Sequence, residues 1–137
     1  EIQDIEDLWK VNVMGPWILT KEAWKYLSIS NSGRIIVLVS MSGKRSKGGL
    51  ASYSMSKFAL MSLCQTMRNE GWPKGIRVTA ICPGWVNTDM AKEINNFPKE
   101  DMTQVNDIAN ICSNLLELPN SSVPFEIALN CQLETTN

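Results

Sequence analysis

The chain has 137 residues, 44% of them hydrophobic, which suits one globular domain with its own core. It contains no histidine, which excludes Ser-His-Asp and Cys-His nucleophile systems, a His-ligated zinc and a histidine base, and leaves proton chemistry to Tyr, Lys or a carboxylate. Thirteen Lys and Arg against fourteen Asp and Glu give a net charge of -1, with no electrostatic footprint for nucleic acid or an anionic membrane, so the partner expected is a small molecule.

Residues 1–7 are acidic and do not read as a secretory signal, and the absence of an initiator Met reads as a fragment. Helix-spaced apolar residues (Ile5, Leu8, Trp9, Val13, Trp17) predict a helix over residues 4–28, broken by Asn31-Ser32-Gly33. A short β-branched run, residues 34–39, predicts a strand buried on both faces; its apolar stretch is far too short to span a bilayer. Residues 42–49 form a polar, glycine-containing loop, and residues 51–70 a second helix with Leu60, Leu63, Cys64 and Met67 on one stripe. After a turn at 71–75, residues 76–82 read as another buried strand that Pro83-Gly84 ends. A third helix over 105–118 stops before Pro119, and residues 125–131 make a last strand. Cys64, Cys82, Cys112 and Cys131 are scattered without a Cys-x-x-Cys pair, so they read as reduced core thiols in a cytoplasmic setting.

Helices alternating with strands imply parallel pairing with helical crossovers, an α/β fold of the doubly wound kind. Ligands in such sheets sit beyond the carboxyl ends of the strands. Ser40 closes the first strand there, Pro83-Gly84 closes the second, and Tyr53 opens the helix after the first strand's loop. Tyr53 and Lys57, four apart on that helix, bring a phenol and an ammonium onto one face. A cation beside a phenol favours the phenolate, which makes Tyr53 a candidate general acid/base. Each feature taken alone has a plainer reading, a solvated Tyr-Lys pair or a strand-end serine, and together they point to one site.

Four segments in order resemble one known family. Trp9-Lys10-Val11-Asn12-Val13-Met14-Gly15, Gly33-Arg34-Ile35-Ile36-Val37-Leu38-Val39-Ser40, Tyr53-Ser54-Met55-Ser56-Lys57, and Gly75-Ile76-Arg77-Val78 leading to Cys82-Pro83-Gly84-Trp85-Val86-Asn87-Thr88 are similar to the signature segments of the short-chain dehydrogenase/reductases. That resemblance implies a Rossmann-like domain, an NAD or NADP cofactor, and interconversion of a carbonyl and a secondary alcohol. It also implies that residues 1–137 are the C-terminal part of that domain, with three strands and three main helices, lacking the N-terminal half whose glycine-rich turn cradles the pyrophosphate.

By resemblance, Tyr53 would exchange the proton with the substrate oxygen, Lys57 would depress the Tyr53 pKa and hold the nicotinamide ribose, Ser40 would hydrogen-bond the substrate, and the Asn12 carbonyl would hold a relay water. Pro16 has no N–H for the Asn12 carbonyl, which leaves it open to water, although Pro16 also suffices as the cause of a simple kink. Pro83 and Gly84 would admit the nicotinamide ring, Val86 would present backbone groups to its carboxamide and Thr88 its hydroxyl; Thr88 also reads as a helix N-cap. Residues 85–97 would form a mobile flap. Lys44, Arg45 and Lys47 sit near the expected mouth, as solvated charges or as a site for an anionic substrate. The other functions in view are a catalytically silent Rossmann-fold binding or regulatory protein and an extended-type nucleotide-sugar epimerase or dehydratase fragment. A homodimer or homotetramer is expected, because Trp17, Trp24, Phe58 and Met61 cannot all share the sheet-facing stripes of their helices.

Overall fold

The computed structural model describes residues 2–94, 97–132 and 134. Its first long helical stretch has three parts: α1 (Ile2–Trp9), one π-helical turn (Lys10–Met14) and α2 (Gly15–Ser30). Pro16 stands next to a register change here. It has no N–H for the Asn12 carbonyl, and the Gly15 N–H bonds the Lys10 carbonyl five residues back. The proline therefore coincides with a π turn. α2 ends where Asn31 turns left-handed at φ 52°, its N–H on the Ser28 carbonyl at 3.3 Å.

Three strands follow, β1 (Arg34–Leu38), β2 (Arg77–Pro83) and β3 (Glu126–Leu129), all parallel in the order β1-β2-β3. Arg34 pairs with Arg77 and Leu38 with Ile81; Ala80 pairs with Glu126 and Pro83 with Leu129. The central strand β2 is buried from Val78 to Cys82, as its apolar run predicts. β1 is only half-buried and Leu38 is exposed, contrary to the expectation of burial on both faces. The reason is position: β1 lies at an edge of the described sheet, with a partner strand on one side only.

α3 (Ala51–Gly71) packs on one sheet face. Leu60, Met61, Cys64 and Met67 meet Ile76, Val78, Ala80 and Cys82, with Leu63 half-buried beside them. The helix approaches closely at Gly71, where a Cβ would stand 2.9 Å from that of Ile76. Gly75 takes φ +72° to turn the chain into β2. At this amino-end edge Asn120 is a hub: its amide donates to the Asn31 and Gly75 carbonyls, its carbonyl oxygens accept from Arg34 and Arg77, and Arg34 also bonds the Leu118 carbonyl.

Beyond β2 the chain makes α4 (Asp89–Ile94), a short helix within the expected flap, and α5 (Val105–Glu117), which buries Ile108 and Leu115. Residues 95 and 96 of that flap lie outside the described residues. Among the described residues no helix is long and apolar enough to cross a membrane. Cys64, Cys82 and Cys131 are buried free thiols, whereas Cys112 is half-exposed rather than a core residue.

Candidate active site

A cavity of about 780 Å³ opens at the carboxyl ends of the strands. Ser40, Tyr53, Pro83, Gly84, Val86 and Thr88 all contribute to its wall. Six residues marked out by sequence thus reach one cavity from β1, α3 and the end of β2. Most of the remaining wall is apolar, with Leu50, Met41, Trp85, Met90 and Ile108 among the contributors.

Ser40 follows β1 in a conformation that L-residues rarely adopt, φ 147° and ψ 157°, a region occupied almost only by glycine. Its Oγ accepts the Ser42 N–H at 3.0 Å and its carbonyl accepts the Gly43 N–H at 3.0 Å, so one 3-10 turn (Met41–Gly43) holds both ends of the residue. The Oγ proton is not consumed by that contact and remains available to an acceptor in the cavity. Gly43 lets this turn lie on α3: a Cβ there would come within 2.6 Å of Val39 Cγ1 and 2.8 Å of the Lys57 carbonyl.

On α3, Tyr53 is half-buried, with the Lys57 ammonium 5.6 Å from its ring centroid. Lys57 Nζ donates to the Leu38 carbonyl at 3.4 Å, at the carboxyl end of β1. Burial lowers the Lys57 pKa from its ordinary value, opposed in part by the neighbouring Cys82 thiol. Lys57 and Asn12 are not among the residues that line the cavity. The Asn12 Nδ2 donates to Ser56 Oγ at 3.0 Å, and Ser56 Oγ donates to the Tyr53 carbonyl at 2.8 Å. This relay docks the π turn onto α3 between the Tyr and the Lys. Sequence reasoning missed Ser56, although a serine nearly completely buried on a helix face is the kind of residue such docking requires.

The wall beyond β2 is fastened at both roots. The Thr103 N–H donates to the Trp85 carbonyl at 3.1 Å and the Asn87 N–H to the Thr103 carbonyl at 2.9 Å, a parallel bridge between Val86 and Thr103. Asn87 Nδ2 adds a bond to Gln104 Oε1 at 3.0 Å, and Gln104 in turn forms a capping box with Asp107 at the start of α5. Trp85 meets Phe97 edge-on, ring centroids 6.0 Å apart. The Thr88 hydroxyl donates to the Val86 carbonyl at 3.4 Å while the Thr88 carbonyl accepts the Ala91 N–H at 3.2 Å, so Thr88 sits at the cavity rim and at the start of α4 together.

Of the three basic residues in the loop before α3, Lys44 turns away to pair with Glu126, while Arg45 and Lys47 reach the cavity. Glu134 reaches it as well, which no local sequence pattern announces.

Comparison with known proteins places this arrangement. The family model described as short chain dehydrogenase matches residues 1–99. Agropine synthesis reductase from Rhizobium rhizogenes is 35% identical over 127 residues, covering 93% of this chain and 30% of that protein. Among solved structures, a betaketoacyl-ACP reductase, FabG, from Bacteroides thetaiotaomicron superposes with a TM-score of 0.81 at 31% identity, covering 97% of this chain and 56% of that one. A 4-hydroxyisoleucine dehydrogenase complexed with NADH superposes with a TM-score of 0.80 at 25% identity, covering all of this chain and 62% of that one. This chain therefore spans between about a third and three fifths of the proteins it matches. With its three-stranded parallel sheet and the Tyr-Lys helix beside a strand-end serine, the chain belongs to the short-chain dehydrogenase family.

Proposed function

We propose that this chain carries the catalytic portion of an NAD(P)-dependent oxidoreductase that interconverts a carbonyl and a secondary alcohol. The observation that carries the reading is that Ser40 and Tyr53 line one cavity with Pro83-Gly84, while the Lys57 ammonium, bonded to the Leu38 carbonyl, lies 5.6 Å from the Tyr53 ring centroid. The residues present fit a planar cofactor ring. Gly84 has no side chain of its own at the cavity wall, although the Glu134 carboxylate lies against it, and Val86 and Thr88 stand beside it with polar groups. When bound, the nicotinamide supplies or accepts the hydride.

The work of the chain is to place and protonate the reacting oxygen. Tyr53 Oη gives its proton to the carbonyl oxygen in reduction and takes it from the alcohol in oxidation. Ser40 Oγ, steadied by the Ser42 N–H, donates to that same oxygen. Lys57 places a positive charge next to the phenol and would hold the cofactor's ribose hydroxyls, and the Asn12 carbonyl, to which Pro16 has no N–H to donate, would hold a relay water. The apolar wall and the fastened segment after β2 exclude bulk water around the reacting atoms, which strengthens each of these contacts. The assembled protein is a homodimer or homotetramer acting on a small-molecule substrate.

The test is oxidation of NADH and NADPH by the complete polypeptide against a panel of ketones, with deuterium placed at the transferable position of the cofactor. Deuterium appearing on the carbinol carbon of the product is expected. Cofactor binding without turnover of any ketone would favour the silent binding protein instead.

A further inference from the structure

The segment after β3 folds back onto the site. The Leu129 carbonyl accepts the Gly84 N–H at 2.7 Å, and the Glu134 N–H then donates to the Cys131 carbonyl at 3.0 Å. That turn swings the Glu134 side chain over the end of β2. There its Oε2 accepts two backbone N–H groups, from Trp85 and from Cys131, both at 3.2 Å. Two amides converging on one carboxylate oxygen make a small anion nest. The carboxylate also lies directly against the bare Cα of Gly84, where a Cβ would collide with it. Glu134 is thus part of the cavity wall at the place where the cofactor ring needs open backbone.

Resting on the oxidoreductase reading above, we propose that Glu134 is a removable plug in the nicotinamide seat. The carboxylate and the ring need the same space against Gly84, so the ring enters only when the Glu134 carboxylate leaves the Trp85 and Cys131 amides. Every chain with Glu134 seated is closed to cofactor, and the apparent affinity falls in proportion to the open fraction. The plug is built from a strand-end turn and two backbone amides, so its removal breaks none of the core packing around α3.

The test uses the 137-residue chain, native and Glu134→Ala, with reduced nicotinamide mononucleotide as the probe. This half-cofactor has no pyrophosphate bridge or adenosine, so its binding reports on the nicotinamide seat alone. Calorimetry is expected to show binding at least about tenfold tighter for the variant, as for a seat open in under a tenth of native chains. Hydrogen exchange without ligand reads the plug independently: the Trp85 and Cys131 amides are expected to exchange slowly in the native chain and faster in Glu134→Ala. Equal affinity in the two chains, no binding to either, or unchanged exchange at both amides would overturn the plug. Those results leave the oxidoreductase reading intact, since turnover by the complete protein tests it. A complete protein that transfers no hydride, with the exchange difference present, removes that reading and leaves the carboxylate seat.

Discussion

Lys57 shows what a single side chain gains from its setting. The four-residue spacing to Tyr53 is visible in the sequence, but its ammonium is held by the Leu38 carbonyl of a strand nineteen residues earlier, a contact that spacing cannot reveal. Burial lowers its pKa, so the folded chain releases this proton at a lower pH than the unfolded chain does. Between the lowered value and the ordinary 10.5 the unfolded state binds more protons, so stability rises with pH through that window and the folded state is penalised below it. Lys57→Met keeps the apolar stem and removes the titration. Denaturant unfolding from neutral to alkaline pH is expected to show the variant gaining on the native chain most on the low-pH side, with the difference shrinking as pH rises. The residues that sequence reading missed, Ser56 and Glu134, share a cause: each acts through partners distant in the chain, and neither stands in a local pattern of its own.

Among the elements, the helices and strands were legible because their periods differ and their breakers are strong. The apolar stripe on α3 and the run in β2 lead to the core residues observed. What escaped notice was where an element is joined to another. Gly43 looks like an ordinary loop glycine, yet it lets the turn holding Ser40 rest on the Lys57 backbone. Gly43→Ala forces a Cβ into Val39 and the Lys57 carbonyl, and is expected to cost about 1–3 kcal/mol in stability as an overpacked site. It is also expected to lower turnover of the complete protein more than cofactor binding, since Ser40 shifts relative to Tyr53. Thermal unfolding and steady-state kinetics check the two parts. Pro16 offers the same lesson: its missing N–H is readable, but the π turn beside it depends on how the helix docks through Asn12 and Ser56.

At the scale of the whole molecule, several large apolar side chains of α2 and α3 are left exposed. Met61 is buried in the core and Trp24 is half-buried under Lys74, but Trp17 and Phe58 remain exposed, as do Ile18, Leu19 and Met55. Single exposed apolar side chains are common, and the dimer reading is that an isologous contact with a second copy covers this surplus on the two helices. Light scattering on the complete protein at micromolar concentration is expected to give at least a dimer, and a strictly monomeric mass counts against the contact. Gly43, Gly48 and Gly49 lie between Ser40 and Tyr53 and not in the turn that would cradle a pyrophosphate, so the 137-residue chain alone is expected to bind NADH or NADPH weakly by calorimetry, and tight binding would contradict this. The central claim concerns one proton. In the complete protein, Tyr53→Phe removes only the hydroxyl proposed to exchange it, and the steady-state rate of nicotinamide oxidation with a ketone substrate is predicted to fall about 10²- to 10⁴-fold while cofactor affinity stays near native. A Tyr53→Phe protein that turns over as fast as the native one would contradict the account.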